Sequence, residues 1–544
     1  MPMARWFVDR LPQRGIPSVS LRRLLPEAQF VGCADLPVFG CTDDHRRLEP
    51  GQVFVAARDA RPGYDGHLFV REAIERGAAG VVVERTCPDA GELQVVVRDG
   101  PAAHARICQA LAGDPSQRLA TIGVAGSFGQ TVTSLMVRSI IEAAGDRCGL
   151  IGSLGYCDGS STKALGPSFE PVAVASHSLG SNALAAQSRR IHELRSFTPD
   201  AASVAALLSE MVKMRCAGSV LEVSAEGLLR RCFDGVTFHA AVATDVSVPA
   251  GFPTEAVAEQ RRAFARVFRQ VVPGGVTVVN ADDANAEVLG GVNLGARRVA
   301  FALEPFAVAR GPVDVSGRLE RIDGSGTRMR LRGFSRELEL HVPLVGVRIA
   351  TCALAAAALA WAMEIDPSDV VSGLESVQTI GGHLESVVEG QDFDVRIDAA
   401  QTPHSLTEAL IALRAISAGR VHVVLSTEGQ GDRAARRLLA AAAESAADRV
   451  IVTLSNPRTE DPNQILDDLL AGFRQPGKVR VEPDRQTAIE TTLAQARPGD
   501  AVLIAGKGRQ TYQIFARSVI PFDDRVVAGD WLRTHQASAR QRSA

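Results

Sequence analysis

The stretch "TIGVAGSFGQTVTSLMVRSIIEAAG", residues 121–145, decides the fold reading. Thr121 to Ala125 reads as a buried β-strand, Gly126-Ser127-Phe128-Gly129 as a glycine turn, and the remainder as a helix with apolar Leu135, Met136, Ile140 and Ile141. A strand-to-helix turn of this kind binds phosphate, because bare backbone N–H groups point into it and the helix dipole favours an anion. Gly126 and Gly129 supply the tight turn, and Thr131 stands where a hydroxyl can reach Mg²⁺. Where such loops carry a lysine against nucleotide phosphates, this chain has Gln130. An amide hydrogen-bonds a phosphate oxygen but does not neutralise it.

Outward from the loop, 544 residues are too many for one core and predict several domains. The 46% apolar content fits a soluble α/β protein, and a net charge of −3 gives no basic excess for nucleic acid. Only Lys163, Lys213, Lys478 and Lys507 are lysines, every other basic side chain being arginine. Drift toward arginine keeps charge; Gln130 does not. The nine cysteines are scattered without a Cys-x-x-Cys pair, which predicts free thiols in a reducing compartment. The N-terminus lacks a signal-type apolar core, and "ATCALAAAALAWAMEI" (350–365) is short for a bilayer span and reads as a buried helix. The expectation is a cytoplasmic protein without a membrane or nucleic-acid partner.

Short β-type runs alternate with helical ones throughout. "GQVFVAA", "AGVVVER" and "LQVVVRD" predict a first α/β domain over 1–115. A second, over 116–377, begins at the glycine loop and runs through "AGSVLEVS", "FHAAVATDVS" and "GGVTVVNADD". It ends in a charged stretch, 315–344, that reads as an antiparallel hairpin or small sheet, followed by the Ala-rich helix. "FDVRIDAA", "VHVVLS", "DRVIVTLS", "KVRVEP" and "DAVLIAGKG" predict a third α/β domain over 378–544.

Taken in order and spacing, "YDGHLFV", "GVAGSFGQTVTS", "GLIGSLGY", "FTPD", "LEVSAEGL", "VVNADD", "SNPRTEDP" and "LIAGKGRQTYQI" resemble the Mur ligases, most closely the UDP-N-acetylmuramoyl-tripeptide synthetases. The resemblance runs from about residue 20 to 533. It implies a Rossmann-like UDP-sugar domain, a central P-loop-type ATPase domain and a Rossmann-like C-terminal domain that receives the amino acid. The implied reaction uses ATP and Mg²⁺ to phosphorylate a carboxylate of UDP-N-acetylmuramoyl-L-alanyl-D-glutamate, after which the amine of diaminopimelate or lysine attacks the acyl phosphate. Such phosphoryl transfer rests on positioning and charge neutralisation.

Carried over by position, the ATP site is Gly126, Ser127, Phe128, Gly129, Gln130, Thr131 and Val132 with Asn280. The magnesium site is Thr131, Glu222 and, in place of a family histidine, Glu226. UDP-sugar-peptide recognition falls to Asp44, His45, Arg46, Asp65, Gly66, His67, Phe197, Thr198 and Ser224. Amino-acid recognition falls to Arg433, Ser455, Asn456, Pro457, Arg458, Gly506 and Gln510. Arg458 is the residue that reads the distal carboxylate in diaminopimelate-adding members, which favours that amino acid; a guanidinium suits bidentate carboxylate recognition.

Other family features are replaced where charge chemistry is done. Gln130 takes the loop lysine's place, and with no lysine between Lys213 and Lys478 the family's carbamylated lysine is absent, Arg262 or Phe264 standing in "QRRAFARVF". Ser455 and Gln510 replace two acidic residues, and Gln401 a histidine. Arg58, Arg61 or an arginine of "QRRAFAR" is the candidate source of the missing positive charge, and no residue is singled out as catalytic. Three readings follow: a ligase of the muramyl-tripeptide type, a non-catalytic relative that binds the same ligands in a regulatory or scaffolding role, and a ligase for another carboxylate and amine.

Overall fold

The computed structural model describes residues 18–58, 65–88, 93–159, 199–246, 254–283, 285, 289, 292, 295–305, 312–516 and 518–543. Three sheets carry the chain. The first has five strands in the order Gln29–Val31, Gln94–Val96, Gly80–Val83, Val53–Ala56, Cys41–Thr42, parallel except for the outermost pair at Gln29–Val31. Its apolar runs are buried on both faces. Val53, Val55 and Val82 pack with Ala103 and Ile107 of the helix Gly100–Leu111, while Phe54, Val81 and Val83 pack on the other side with Val70 and Ala73.

The central sheet has ten strands, ordered Gly155–Cys157, Cys148–Gly152, Gly218–Val223, Ala120–Ala125, Phe238–Ala243, Val271–Asn280, Arg297–Glu304, Val315–Asp323, Gly326–Arg332, Leu338–Val342. The strand Ala120–Ala125 lies between Gly218–Val223 and Phe238–Ala243, parallel to both, so the loop after it opens at the carboxyl ends of the strands. That edge is where open α/β sheets bind ligands. The helix Gln130–Ala143 packs Leu135, Met136 and Ile140 against this sheet beside the Ala-rich helix Val347–Ala362. The opposite face is covered by Ala201–Lys213 and Thr254–Arg269 through Leu208, Met211, Phe264 and Phe268.

The charged stretch forms the expected antiparallel hairpin, joined to the central sheet instead of standing as a small sheet of its own. Val315–Asp323 joins Arg297–Glu304 in parallel, and the next two strands continue the central sheet antiparallel. Alternation sets the facing within it: Val315, Met329, Leu331 and Leu340 face the Ala-rich helix, while Arg330 and Glu320 pair at 2.6 Å on the outer face.

The third sheet runs Glu385–Ser386, Asp394–Asp398, Ala501–Ala505, Val421–Leu425, Arg449–Val452, Arg480–Val481, parallel but for its first pair. Pro403–Ile416, Arg433–Ala446 and Pro462–Leu470 cover one face, Arg485–Gln495 and the helix from Asp524 the other. The α/β class read from the sequence holds throughout. Among the described residues no helix is long and apolar enough to cross a membrane.

Candidate active site

The glycine loop is built by close approach. A Cβ on Gly126 would stand 2.2 Å from the Thr244 hydroxyl oxygen and 2.9 Å from the Asp245 carbonyl, and Gly129 takes a left-handed φ of +78° where the helix starts. The Ser127 N–H donates to the Asp245 carbonyl (2.5 Å), and the Thr244 hydroxyl donates to the Phe128 carbonyl (2.5 Å). Asn280 anchors the same corner, its amide donating to the Thr244 carbonyl (3.1 Å) and accepting from the Asp282 N–H (3.0 Å). Its observed contacts therefore hold the loop's supporting strand.

Below the loop lies an oxygen cluster. Thr131 Oγ1 donates to Glu222 Oε1 (2.9 Å) and is 3.1 Å from Ser153 Oγ. The other Glu222 oxygen accepts from the Ser153 N–H (2.8 Å) and hydroxyl (3.0 Å). Gly152 makes room for it, since a Cβ there would lie 2.8 Å from Glu222 Oε2. One buried carboxylate and two hydroxyls, from two adjacent strand ends and the first turn of the helix Gln130–Ala143, suit a hard cation such as Mg²⁺. Ser153 was not singled out from sequence, although "GLIGSLGY" was; its pairing with Glu222 is a tertiary fact. Glu226 is exposed and ion-paired to Arg230 (3.7 Å), outside this trio, and Ser224 caps the short helix Ala225–Leu229 by accepting from the Gly227 N–H (3.0 Å).

Gln130 Oε1 is buried without a hydrogen-bond partner. Rotating the amide by half a turn would put a donor there, which a phosphate oxygen would satisfy. A guanidinium not anticipated from the sequence stands beside the loop, balanced there by carboxylates. Arg348, on the Ala-rich helix, stands over the Phe128 ring (5.2 Å) and pairs with Asp245 (3.2 Å), Glu408 (3.4 Å) and His404 Nε2 (2.7 Å). Burial, and then the Arg348 guanidinium, push His404 below its ordinary value, which leaves Nε2 a neutral acceptor. Arg58 is 3.8 Å from Asp65, Arg262 is exposed, Arg266 donates to the Leu228 carbonyl (2.9 Å), and Arg61 is outside the described residues. Phe264 is buried in the core. From the helix Thr254–Arg269 it is Gln260 that reaches the loop, at Ser127 Oγ (3.4 Å).

Ser127 to Val132, Arg348, His404 and Glu408 line one cleft of about 640 Å³ between the central and third sheets. Beyond it a second polar cluster centres on Glu428, which the sequence reading missed. Glu428 accepts from Arg458 Nη2 (2.7 Å), Asn456 Nδ2 (3.1 Å) and Gln510 Nε2 (3.0 Å). Burial opposes its charge, but the bonds from Arg458 and Gln510 outweigh that and hold the carboxyl below its ordinary range. Arg458 adopts a left-handed φ of +58°, and its Nη1 is buried without a partner, a free donor beside an ionised carboxylate. Pro457 holds the turn between Asn456 and Arg458, and Ser455 donates to the Thr427 carbonyl (2.8 Å). Gly506 lies close to Ser426, a Cβ there falling 2.5 Å from Ser426 Oγ, and its carbonyl accepts from Gln401 (2.5 Å). Arg433 belongs to another network: its guanidinium is bidentate to Asp468 (2.8 and 2.8 Å).

In the first unit Asp44 and Asp65 each cap a short 3₁₀ turn. Asp44 holds Arg46 bidentately (2.9 and 2.9 Å), and Asp65 accepts from Arg85 (2.9 Å) and from His67 Nδ1 (2.6 Å). Since His67 Nε2 accepts from the Glu84 N–H (2.9 Å), Nδ1 carries the proton. Gly66 approaches the Ala57 backbone so closely that a Cβ would lie 2.9 Å from its nitrogen. His45 stacks on Phe69 (4.0 Å), its Nδ1 buried without a partner. Phe197 and Thr198 lie outside the described residues.

Comparison with known proteins agrees with this geometry. The Mur ligase middle domain matches residues 124–360, and the Mur ligase glutamate ligase domain matches 384–508. A UDP-N-acetylmuramoyl-L-alanyl-D-glutamate--2,6-diaminopimelate ligase of Solibacter usitatus is 30% identical over 94% of this chain and 96% of its own length. The enzyme of that name from Alkalilimnicola ehrlichii is 33% identical over 93% of this chain and 97% of its own. A solved structure of such a ligase superposes with a TM-score of 0.63 at 24% identity, covering 95% of this chain and 99% of that one. A folylpolyglutamate synthase of Mycobacterium tuberculosis shares the fold more distantly, at a TM-score of 0.57 and 19% identity over 80% of this chain. With relatives matching end to end, and both family domains falling on the sheets that frame the cleft, the chain belongs to the Mur ligase family.

Proposed function

We propose that the chain is an ATP-dependent ligase that adds diaminopimelate to UDP-N-acetylmuramoyl-L-alanyl-D-glutamate, with divisions of labour at 1–115, 116–377 and 378–544. The observation that carries this is the cation-ready trio of Thr131, Ser153 and Glu222 beneath the glycine loop, of which Thr131 lines a cleft whose far wall belongs to the third sheet. Mg²⁺ held by that trio would offset phosphate charge. The loop N–H groups hold the nucleotide phosphates, and Arg348 supplies the cation that Gln130 lacks. On the far side Glu428 and Arg458 offer one carboxylate and one free guanidinium nitrogen, a pair matched to an ammonium and a carboxylate on one carbon. Glu428 thus takes over the charge absent at Ser455 and Gln510. In the first unit Arg46 and Arg85, each braced by a capping aspartate, are suited to meet the anionic UDP moiety.

The test is ADP release by the purified chain with ATP, Mg²⁺, the UDP-muramoyl dipeptide and diaminopimelate. Turnover is expected in the wild type, and Arg348→Ala is expected to lower it by about 10²–10³-fold, as for loss of one charge-stabilising contact. Arg348→Lys should recover part of the rate, because charge returns without the planar fork. A wild type that binds ATP yet releases no ADP, with no gain in Gln130→Lys, sinks the ligase reading. Gln130, uncharged at the phosphate loop, would in that event favour a regulatory relative that binds these ligands without turnover.

A further inference from the structure

We propose that Cys41, His104 and Cys108 form a binding site for a thiophilic divalent cation of the zinc class, with Asp43 behind the histidine. Cys41 lies on the strand Cys41–Thr42, and His104 and Cys108 lie one turn apart on the helix Gly100–Leu111, hence on one face. Their ligand atoms all fall within 4.8 Å of one another. Cys41 Sγ is 3.7 Å from Cys108 Sγ, which is 3.4 Å from His104 Nε2.

The two separations made by Cys108 are close to the edges of a coordination tetrahedron. With metal–sulfur bonds of about 2.3 Å and metal–nitrogen bonds of about 2.0–2.1 Å, tetrahedral angles give S···S and S···N edges of about 3.8 and about 3.6 Å. They are far from the about 2.05 Å of a disulfide. His104 and Cys108 are buried and Cys41 is half-buried, so a protected site has one approachable ligand. Asp43 Oδ2 stands 3.9 Å from His104 Nδ1, on the ring nitrogen that coordination through Nε2 leaves free. A carboxylate in that position is the usual second partner of a metal-bound histidine.

The site's place gives it a consequence. Cys41 directly precedes Thr42-Asp43-Asp44-His45-Arg46, the segment whose Asp44 caps the turn carrying Arg46. A bound ion would staple that segment to the helix Gly100–Leu111.

The experiment uses the full-length chain, stripped of metal, reduced with a phosphine and titrated with Co²⁺ alone. The expected result is one equivalent bound with tetrahedral d–d bands and thiolate-to-cobalt charge transfer, displaced by Zn²⁺. Both features should vanish in Cys41→Ser and in Cys108→Ser and persist in Cys216→Ser. X-ray absorption on the zinc-loaded wild type, which needs no variant to fold, should show two sulfur neighbours at about 2.3 Å. An octahedral cobalt spectrum, fewer than two sulfurs, or bands that survive both serine substitutions overturns the proposal. So does a reduced chain that takes up no Co²⁺ and instead gives a Cys41–Cys108 disulfide with a disulfide oxidant.

Discussion

Lys507 shows how one residue sets a measurable pH response. It is 2% exposed, donates to the Tyr512 carbonyl, and has its ammonium 5.6 Å from the Tyr512 ring. Burial, with Arg485 next, lowers it to about 8. In the unfolded chain a lysine titrates near about 10.4. Below about pH 8 both states are protonated; from there to about pH 10 the unfolded state holds a proton the folded state has released, so stability rises with pH. Chemical denaturation across that window should show a rising midpoint in the wild type and a flatter one in Lys507→Met; equal slopes would remove Lys507 as the cause. The same scale explains what the sequence could reveal. Gln130 was legible as a defect because the glycine turn is local, whereas Arg348 was not, since it reaches Phe128 from another helix. Glu428 was hidden likewise, as its bonds to Asn456, Arg458 and Gln510 join three separate segments.

Between elements, a fully buried polar joint lies under the third sheet. Arg485, first residue of the helix Arg485–Gln495, is bidentate to Asp524 (2.7 and 2.7 Å) at the start of the last helix. It also donates to Ser426 Oγ (2.8 Å) and to the Ala505 carbonyl (3.1 Å) at two strand ends. Both side chains are 0% exposed. Removing one charge strands the other, so Asp524→Asn should destabilise the C-terminal unit by about 3–5 kcal/mol. A urea titration reporting on this unit checks it, and a shift near zero would mean that the joint relaxes or admits water. Replacing both residues by apolar ones should cost far less, because no orphaned charge remains. Strand existence was readable here from short apolar β-type runs, but sheet membership was not. Period-two patterning fixes which side chains face a core, while the choice of neighbouring strand is made by pairing across distant sequence.

At the scale of the molecule, the central and third units are held together around the loop by few polar ties. Arg348 joins His404 and Glu408, and Arg509 donates to the Leu154 carbonyl (2.7 Å). Leu154 follows Ser153, a member of the cation-ready trio, so the third unit touches the central one directly beside that trio. Interfaces between domains of one chain are by default mobile unless large and apolar. A hydrogen bond to a charged group is worth about 1.5–3 kcal/mol, so losing the Arg509 tie should shift an open–closed balance by about 10–100-fold. Arg509→Ala is therefore expected to enlarge the radius of gyration measured by solution X-ray scattering. Arg449→Ala, whose partner Gln495 (2.9 Å) lies within the third unit, should leave it unchanged. Nucleotide affinity should change little in Arg509→Ala, because the loop contacts come from the central sheet, while turnover should fall with the closed population. Scattering curves that coincide for wild type and Arg509→Ala would show that the closed cleft does not depend on this tie.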